Sequence, residues 1–417
     1  MKNKKKILFV HQNFPGQYKY VAHQLSRDSN YDVHTLSITK FSDDYTTNHY
    51  YEVLGANAEN VNQWAIEFET KMIRANAAAK KALLIKEDGF SPDLIICHPG
   101  WGDSFFLKEI WPSAKFITFV EFYYKTENSD IDFDREFIKK YLKRDFETFH
   151  QFNKFKLAAR NAFFSSVYST SDYLICPTNF QKSLLPPTLK NNTNVIHDGI
   201  DTSKLKPNPT ATVQVNGRLF TKEDKVISYV SRALDPYRGF HIFMRSLPKI
   251  LKENSDAYIF IVGDPDKTGY GSGSPDGSFK DIFLSEIQDD IDTSRVFFFG
   301  RVEYEIFIKI IQLTTVHVYL TYPFVLSWSV LEAMSCGALV IGSNTEPVTE
   351  VIEDNVNGLL VDFFDHNGLS NLITKVLKNK DNFKDIKINA RNTILRDYDL
   401  KTKCLPKHLE IINEALK

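Results

Sequence analysis

Cysteine is scarce. Cys97, Cys176, Cys336 and Cys404 are four in 417 residues and stand too far apart for a disulfide framework or a zinc-ligand spacing. Reduced thiols in an intracellular protein are the simplest account. Long apolar runs are also missing. The basic start MKNKKK leads only into Ile7–Val10, too short for a signal peptide or a membrane span. An excess of one charge is lacking too: 51 Lys and Arg against 52 Asp and Glu leave −1, a balance that does not call for nucleic acid. A cytoplasmic, soluble chain is expected, and the sequon Asn191-Asn192-Thr193 has no meaning there.

Two phosphate-binding signatures are absent as well. The loop after the first strand has one glycine, Gly16, where a dinucleotide fingerprint needs three, so no dinucleotide cofactor is supported. The loop KTGYGSGSPDGS (267–278) is Gly-rich and reads as flexible, but it has no Gly-Lys-Ser/Thr and is not a P-loop. Asp130, Asp132 and Asp134 alternate like metal ligands yet lack the glycine and closing glutamate of a calcium loop. They read better as an acidic segment capping the next helix, and no metal site is expected.

What is present is alternation. A content of 43% hydrophobic and 25% charged residues is that of a globular protein, and the length asks for more than one core. Buried parallel strands are expected at Ile7–Val10, Val33–Ile38, Asp93–Cys97, Phe116–Val120 and Tyr173–Cys176, with a long helix over Trp64–Glu87. Pattern is lost in KLKPNPTATVQVNGRLFTKED (204–224), which reads as a linker. Strands resume at Val226–Val230, Tyr258–Val262, Val296–Phe299, Val316–Leu320 and Leu339–Ile341. Residues 391–417 read as a last amphipathic helix interrupted at Pro406. The fold class is therefore α/β, with two Rossmann-like domains whose parallel sheets face one another across a cleft. The expected division is 1–205, with a helical insertion at about 127–160, then 206–395, then a terminal helix 396–417 crossing back to the first domain.

Polar groups at strand ends are the candidates for chemistry, because ligands of open α/β sheets bind beyond the carboxyl ends of strands. His98 and Glu121 follow adjacent strands of the first half. In the second half Arg232 and Arg238 flank a strand-to-helix turn, and paired guanidinium groups suit a diphosphate. The helix opening at Ser327-Trp328 offers free N–H groups and a positive dipole end to an anion. Glu332, further along it, is placed to accept hydrogen bonds from sugar hydroxyls. FIKKYLKRDFETFHQFNKFK (137–156) mixes lysines with phenylalanines. It reads either as a basic amphipathic contact for an anionic membrane or as an inserted helix with core phenylalanines and solvated lysines, the latter slightly favoured.

Taken together, these segments resemble the family-4 retaining glycosyltransferases of GT-B fold, from residue 7 to about 400. SRALDPYRG (231–239) stands where that family has Gly-Arg-Leu…Lys-Gly, and Leu331–Met334 carries its Leu-Glu-Ala-Met. Gly199–Asp201 is similar to its Gly-Ile-Asp hinge. The resemblance implies that Arg232 and Arg238 bind the diphosphate, Glu332 the ribose, Val302 the base, and Gly16 the loop near donor phosphate and acceptor. It also implies a metal-independent, retaining hexosyltransferase of glycan biosynthesis. The donor would be a UDP- or GDP-sugar, taken as co-substrate rather than cofactor, and the acceptor a glycan, lipid-linked or protein acceptor, with peripheral contact on the inner face of a membrane. The chain departs from the family twice: Phe324 replaces the first Glu of its Glu-seven-Glu motif, and Glu121 replaces a histidine. Both departures suit a changed sugar site, or alternatively a non-catalytic subunit that binds glycan or stabilises a partner transferase.

Overall fold

Ile7, Leu8, Phe9 and Val10 are each fully buried, so this run has apolar neighbours on both faces, as a central parallel strand requires. The computed structural model describes residues 4–55, 60–127, 129–266 and 269–417. The first residues of the basic start and Lys267-Thr268 of the Gly-rich loop lie outside the described residues. The first sheet uses β1 (Lys5–Val10), β2 (Tyr31–Ser37), β3 (Thr47–Tyr50), β4 (Leu94–Cys97), β5 (Lys115–Phe119), β6 (Tyr173–Cys176) and β7 (Thr193–Val195). Its order is β3-β2-β1-β4-β5-β6-β7 and every pairing is parallel. The sequence reading missed β3 and β7. Both are short polar edge strands, which bury too little to leave an apolar run.

Residues 213–220, expected within a linker, form an antiparallel hairpin instead, β8 (Val213–Val215) with β9 (Arg218–Phe220). Asn216 and Gly217 both have positive φ, the conformation of a tight two-residue turn, and Ala211, Val213 and Phe220 reach a core with Phe260 and Leu313. The second sheet follows with β10 (Lys225–Ala233), β11 (Ala257–Asp264), β12 (Val296–Gly300), β13 (Val316–Tyr319), β14 (Leu339–Ser343) and β15 (Leu359–Val361). It is again all parallel, in the order β12-β11-β10-β13-β14-β15. Helices alternate with strands in both sheets, so each half is Rossmann-like.

Two compact units result, Met1–Thr126 with Gln151–Gly199 and Lys401–Lys417, and Glu127–His150 with Ile200–Leu400. Residues 127–150, expected as an insertion of the first domain, group with the second unit. What was read as one helix there is a π-helical turn Phe137–Tyr141, a break at Lys143 with φ +53, and the helix Phe146–Ser169. The chain enters the second unit for its long segment at Gly199/Ile200 rather than 205, and leaves it after Leu400. At that exit Ile200 N donates to Tyr398 O at 2.8 Å and Leu400 N to Ile200 O at 2.9 Å.

The terminal stretch is not one interrupted helix. The helix Lys384–Thr393 gives way to π-helical turns, and a new helix, Leu405–Ala415, carries Pro406 in its first turn. Proline starts a helix well, because its missing N–H falls where no intrahelical partner exists. Ile411, Ile412 and Ala415 join Ile7, Phe9, Ile96 and Ile117 in the core of the first unit. Ile412→Ala is expected to destabilise that unit by about 2–4 kcal/mol, the usual loss for a buried aliphatic truncated to a cavity. Urea unfolding measures it, and a wild-type midpoint would remove this helix from the core.

Candidate active site

The second unit builds its site at the carboxyl end of β10. Asp235 caps the turn Pro236–Arg238 through the Arg238 N–H, and its other oxygen accepts from Gly269 N at 3.0 Å and Tyr270 N at 3.2 Å. Burial raises its carboxyl to about 6, with the Arg238 charge opposing. Gly239 has φ +67, and a Cβ there would stand 2.4 Å from that of Leu320, so a side chain would separate turn and strand end. Arg238 is 5% exposed. Its Nη1 donates to Thr321 Oγ1 at 2.7 Å and Tyr319 Oη at 3.0 Å, and Tyr270 lies 5.1 Å beneath the guanidinium. These partners are neutral, and among the described residues no carboxylate pairs with it.

Tyr319 Oη also accepts the Ser327 N–H at 2.8 Å, so one hydroxyl joins the guanidinium to the N-terminus of the helix Trp328–Ser335. Ser327 is the N-cap, accepting from Ser329 N, and Trp328 is 44% exposed beside it. Phe324 is buried, its ring 4.8 Å from Tyr270 and 5.6 Å from Tyr237. Further along the helix Glu332 receives the Tyr304 hydroxyl at 2.6 Å, and burial raises its carboxyl despite that bond. Val302, half-buried after the positive-φ Gly300, lies two residues before Tyr304. Arg232 is exposed on β10 near its end and bonds to none of these.

In the first unit, His98 directly follows β4 and Glu121 lies two residues past β5. His98 Nδ1 accepts from Gly100 N at 3.2 Å, which leaves the neutral ring's proton on Nε2, 3.4 Å from Glu121 Oε2. That nitrogen is buried and, among the described residues, lies near Glu121 without a hydrogen bond to it. His11, at the end of β1, packs against His98 and Trp101 with ring centroids 5.4 and 4.8 Å away. Its Nδ1 accepts from Asn13 N and its Nε2 bonds Gln17 at 2.8 Å. Gly16 has φ +47, and a Cβ there would fall 2.4 Å from His11 Nε2.

The aspartates of the 130–134 run have separate duties. Asp134 Oδ1 caps the following turn through Phe137 N at 2.8 Å, and Asp132 accepts from Ser129 N. Asp130 receives the Tyr237 hydroxyl at 3.2 Å.

Comparison with known proteins bears on both halves. Residues 34–205 match the family described as glycosyl transferase family 4 group, and residues 214–393 match glycosyl transferases group 1. The chain belongs to the family-4 glycosyltransferases. An uncharacterized glycosyltransferase of Methanocaldococcus jannaschii is 22% identical over 56% of the chain, and that match spans 57% of the relative's length. Sucrose-phosphate synthase from Thermosynechococcus elongatus has the same fold, with TM-score 0.71 at 15% identity over 99% of each chain. So has Anabaena HepE in complex with UDP-glucose, at 0.65 and 14% over 98% of this chain and 99% of that one. A glycosyltransferase from Rickettsia africae aligns at 0.65 and 18% over 100% and 99%. The fold is GT-B.

Of the sequence-predicted site residues in this glycosyltransferase, Arg238 and Ser327 meet at the Tyr319 hydroxyl, Phe324 packs beside them on Tyr237 and Tyr270, and Glu332 bonds Tyr304, two residues after Val302. His98, Glu121 and Gly16 share the first unit's strand-end cluster. The sequence reading missed His11, which the strand-end rule alone points to. It also missed Tyr319, Thr321 and Tyr304, whose partners lie on other segments and leave no local signal, and Asp235, which the Asp-Pro start of a turn could have pointed to.

Burial, followed by the charge of His98, lowers His11 to about 4, against opposing contributions from Gln17, Glu121 and Asn13. Between pH about 6.5 and about 4 the unfolded chain binds a proton at His11 that the folded chain refuses, so its contribution is whole above this window and lost as pH falls through it. Burial lowers His49, His197, His317 and His408 as well. Stability from urea unfolding should therefore fall from pH 6.5 to 4.5, and His11→Asn should flatten the slope by up to about 1.4 kcal/mol per pH unit. Parallel curves for the two proteins would place His11 in solvent.

Proposed function

We propose that the chain moves a sugar from a nucleoside diphosphate sugar, with uridine or guanosine as base, to a glycan, lipid-linked or protein acceptor. Anomeric configuration is retained and no metal is needed. The observation that carries this reading is Arg238, a buried cation with neutral partners, one hydroxyl away from a helix N-terminus. A diphosphate would supply the missing negative charge. In the reaction the bond from the anomeric carbon to the diphosphate oxygen breaks, and the bond to the acceptor oxygen forms on the same face. The acceptor proton passes to the departing phosphate. Arg238, the helix N-terminus and exposed Arg232 stabilise the charge that appears there. His98, with its proton on Nε2, orients a hydroxyl with Glu121 rather than acting as base in its neutral form.

HepE is described in complex with UDP-glucose, which makes uridine the first base to try. The departures from the family fall on the sugar-facing side. Phe324 packs among aromatic rings where the family has a carboxylate for the transferred sugar, so donor choice differs from relatives that carry it. The same observation favours the second reading, a non-catalytic subunit that binds glycan or stabilises a partner transferase. Release of nucleoside diphosphate with and without acceptor separates the two readings.

Membrane contact belongs to the same proposal. On the helix Phe146–Ser169, Leu157, Phe163 and Phe164 are buried, but Phe152 is 40% and Phe155 52% exposed, both against Trp64. Aromatic rings and the exposed Lys156 suit an anionic lipid surface, and there is no helix long and apolar enough to cross a membrane among the described residues. Pelleting with anionic liposomes at low salt, reduced in Phe152→Ser/Phe155→Ser, is expected, and no pelleting removes the contact.

For the donor site, UDP or GDP at a hundred times its dissociation constant should stabilise the protein by about 2.7 kcal/mol. Arg232→Ala, at an exposed position, should abolish that shift while leaving the unliganded melting temperature unchanged. No shift with any nucleotide overturns the transferase reading. Proton couplings of the product sugar report whether configuration is retained.

A further inference from the structure

Residues 127–150 leave the first unit's chain path between β5 and β6 and pack on the second unit, against the back of the loop that follows β13. Several contacts hold them there, the Tyr237 hydroxyl on Asp130 among them, and the most buried centre on Asp134. Tyr322 Oη donates to Asp134 Oδ2 at 2.8 Å, and His241 Nε2 lies 3.0 Å from the same oxygen. Asp134, Tyr322 and His241 are 2%, 1% and 1% exposed, so water does not compete for the Tyr322 bond or the His241 contact. The Phe133 ring packs on Tyr322 and Phe363 with centroids 5.1 Å away in each case. Outside this buried set, Glu136 forms a two-bond fork with Arg245 at 3.0 and 2.8 Å.

What Asp134 holds is the loop that holds Arg238. Tyr322 follows Thr321, which accepts from the guanidinium at 2.7 Å, and the Tyr322 N–H donates to Tyr237 O at 2.9 Å, next to Arg238 in the chain. Thr321 itself is fixed on its other side, its N–H donating to Ser343 Oγ at 3.0 Å. Burial alone would raise the Asp134 carboxyl. The nearby His241 ring and the bonds from Phe137 N and Tyr322 outweigh it and keep the group ionised and acceptor-only.

We propose that Asp134 is a positioning residue of the diphosphate site: through Tyr322 it sets where Thr321 and the β13 loop hold the Arg238 guanidinium. Residues 127–150 are then a working part of the nucleotide-binding unit, inserted into the sequence of the other. This rests on the donor-site reading above. It adds that nucleotide affinity depends on a carboxylate that touches neither nucleotide nor sugar.

Full-length Asp134→Asn and Tyr322→Phe, singly and together, test it with two readouts. Amide hydrogen exchange over residues 319–328 is expected to quicken in each variant. Affinity for UDP or GDP is expected to fall about tenfold in each single variant, roughly the loss of one buried hydrogen bond to a charged group. The double variant should be no weaker than the worse single one, because both remove the same link. Variants that melt earlier but bind nucleotide like the wild type overturn the proposal and leave Asp134 a brace of the fold. Should the wild type bind no nucleotide, the donor-site reading fails by itself, and exchange decides: quickening in both variants keeps Asp134 as the setter of this loop, and unchanged exchange removes it.

Discussion

A guanidinium out of water, with no carboxylate bonded to it among the described residues, is an expensive arrangement, and much of the second unit's strand-end cluster offsets that cost. Desolvating one ion takes several kcal/mol even after a protein relaxes around it. Arg238 recovers part through two hydroxyls, Tyr319 and Thr321, and part through the ring of Tyr270 beneath it. Asp235 contributes its field without contact, since its oxygens are engaged with backbone N–H groups of the turn and the Gly-rich loop. Tyr229 donates to the Arg238 carbonyl at 2.8 Å, and Gly239 lets the turn close on Leu320. The Tyr319 hydroxyl also links the guanidinium to the opening of the helix Trp328–Ser335.

The first unit solves a different problem with the same topology. Its strand ends carry histidines rather than arginines, and backbone N–H groups bond each ring at Nδ1. Burial disfavours the charged ring of His11, and the bond from Gly100 leaves His98 a donor on its Nε2 side. Such rings suit orientation of hydroxyl groups, a neutral task, while the cationic groups of the second unit suit a charged one. The division follows from which side chains stand at the strand ends, because the two sheets share their parallel pairing and their alternation with helices.

Chain order and spatial order part company in two places. Residues 127–150 interrupt the first unit's sequence and serve the second, and Lys401–Lys417 follow the second and complete the first. Each relocation is held by buried groups of its own, Asp134 with Tyr322 in one case and Ile411 with Ile412 in the other. The 213–220 hairpin makes the same point on a smaller scale. It was lost to the sequence reading because Pro207 and Pro209 precede it and each strand spans only three residues, too few for a period of two to stand out.

The sequence by itself determined the parallel strands, since runs such as Ile7–Val10 and Leu339–Ile341 are apolar on both faces and have no other stable use. It also determined the family, through Leu331–Met334 and the two arginines of 231–239, because these residues act from fixed places on a turn and a helix. Only the tertiary structure decided that Asp134 belongs with Tyr322 and that Tyr319 joins Arg238 to Ser327. It alone assigned the His98 proton to Nε2 and used Phe324 as packing for Tyr270. Periodicity records which face of a segment is buried. It does not record which distant group will meet a hydroxyl or a carboxylate, and that pairing arises only when two segments far apart in sequence are brought within about 3 Å.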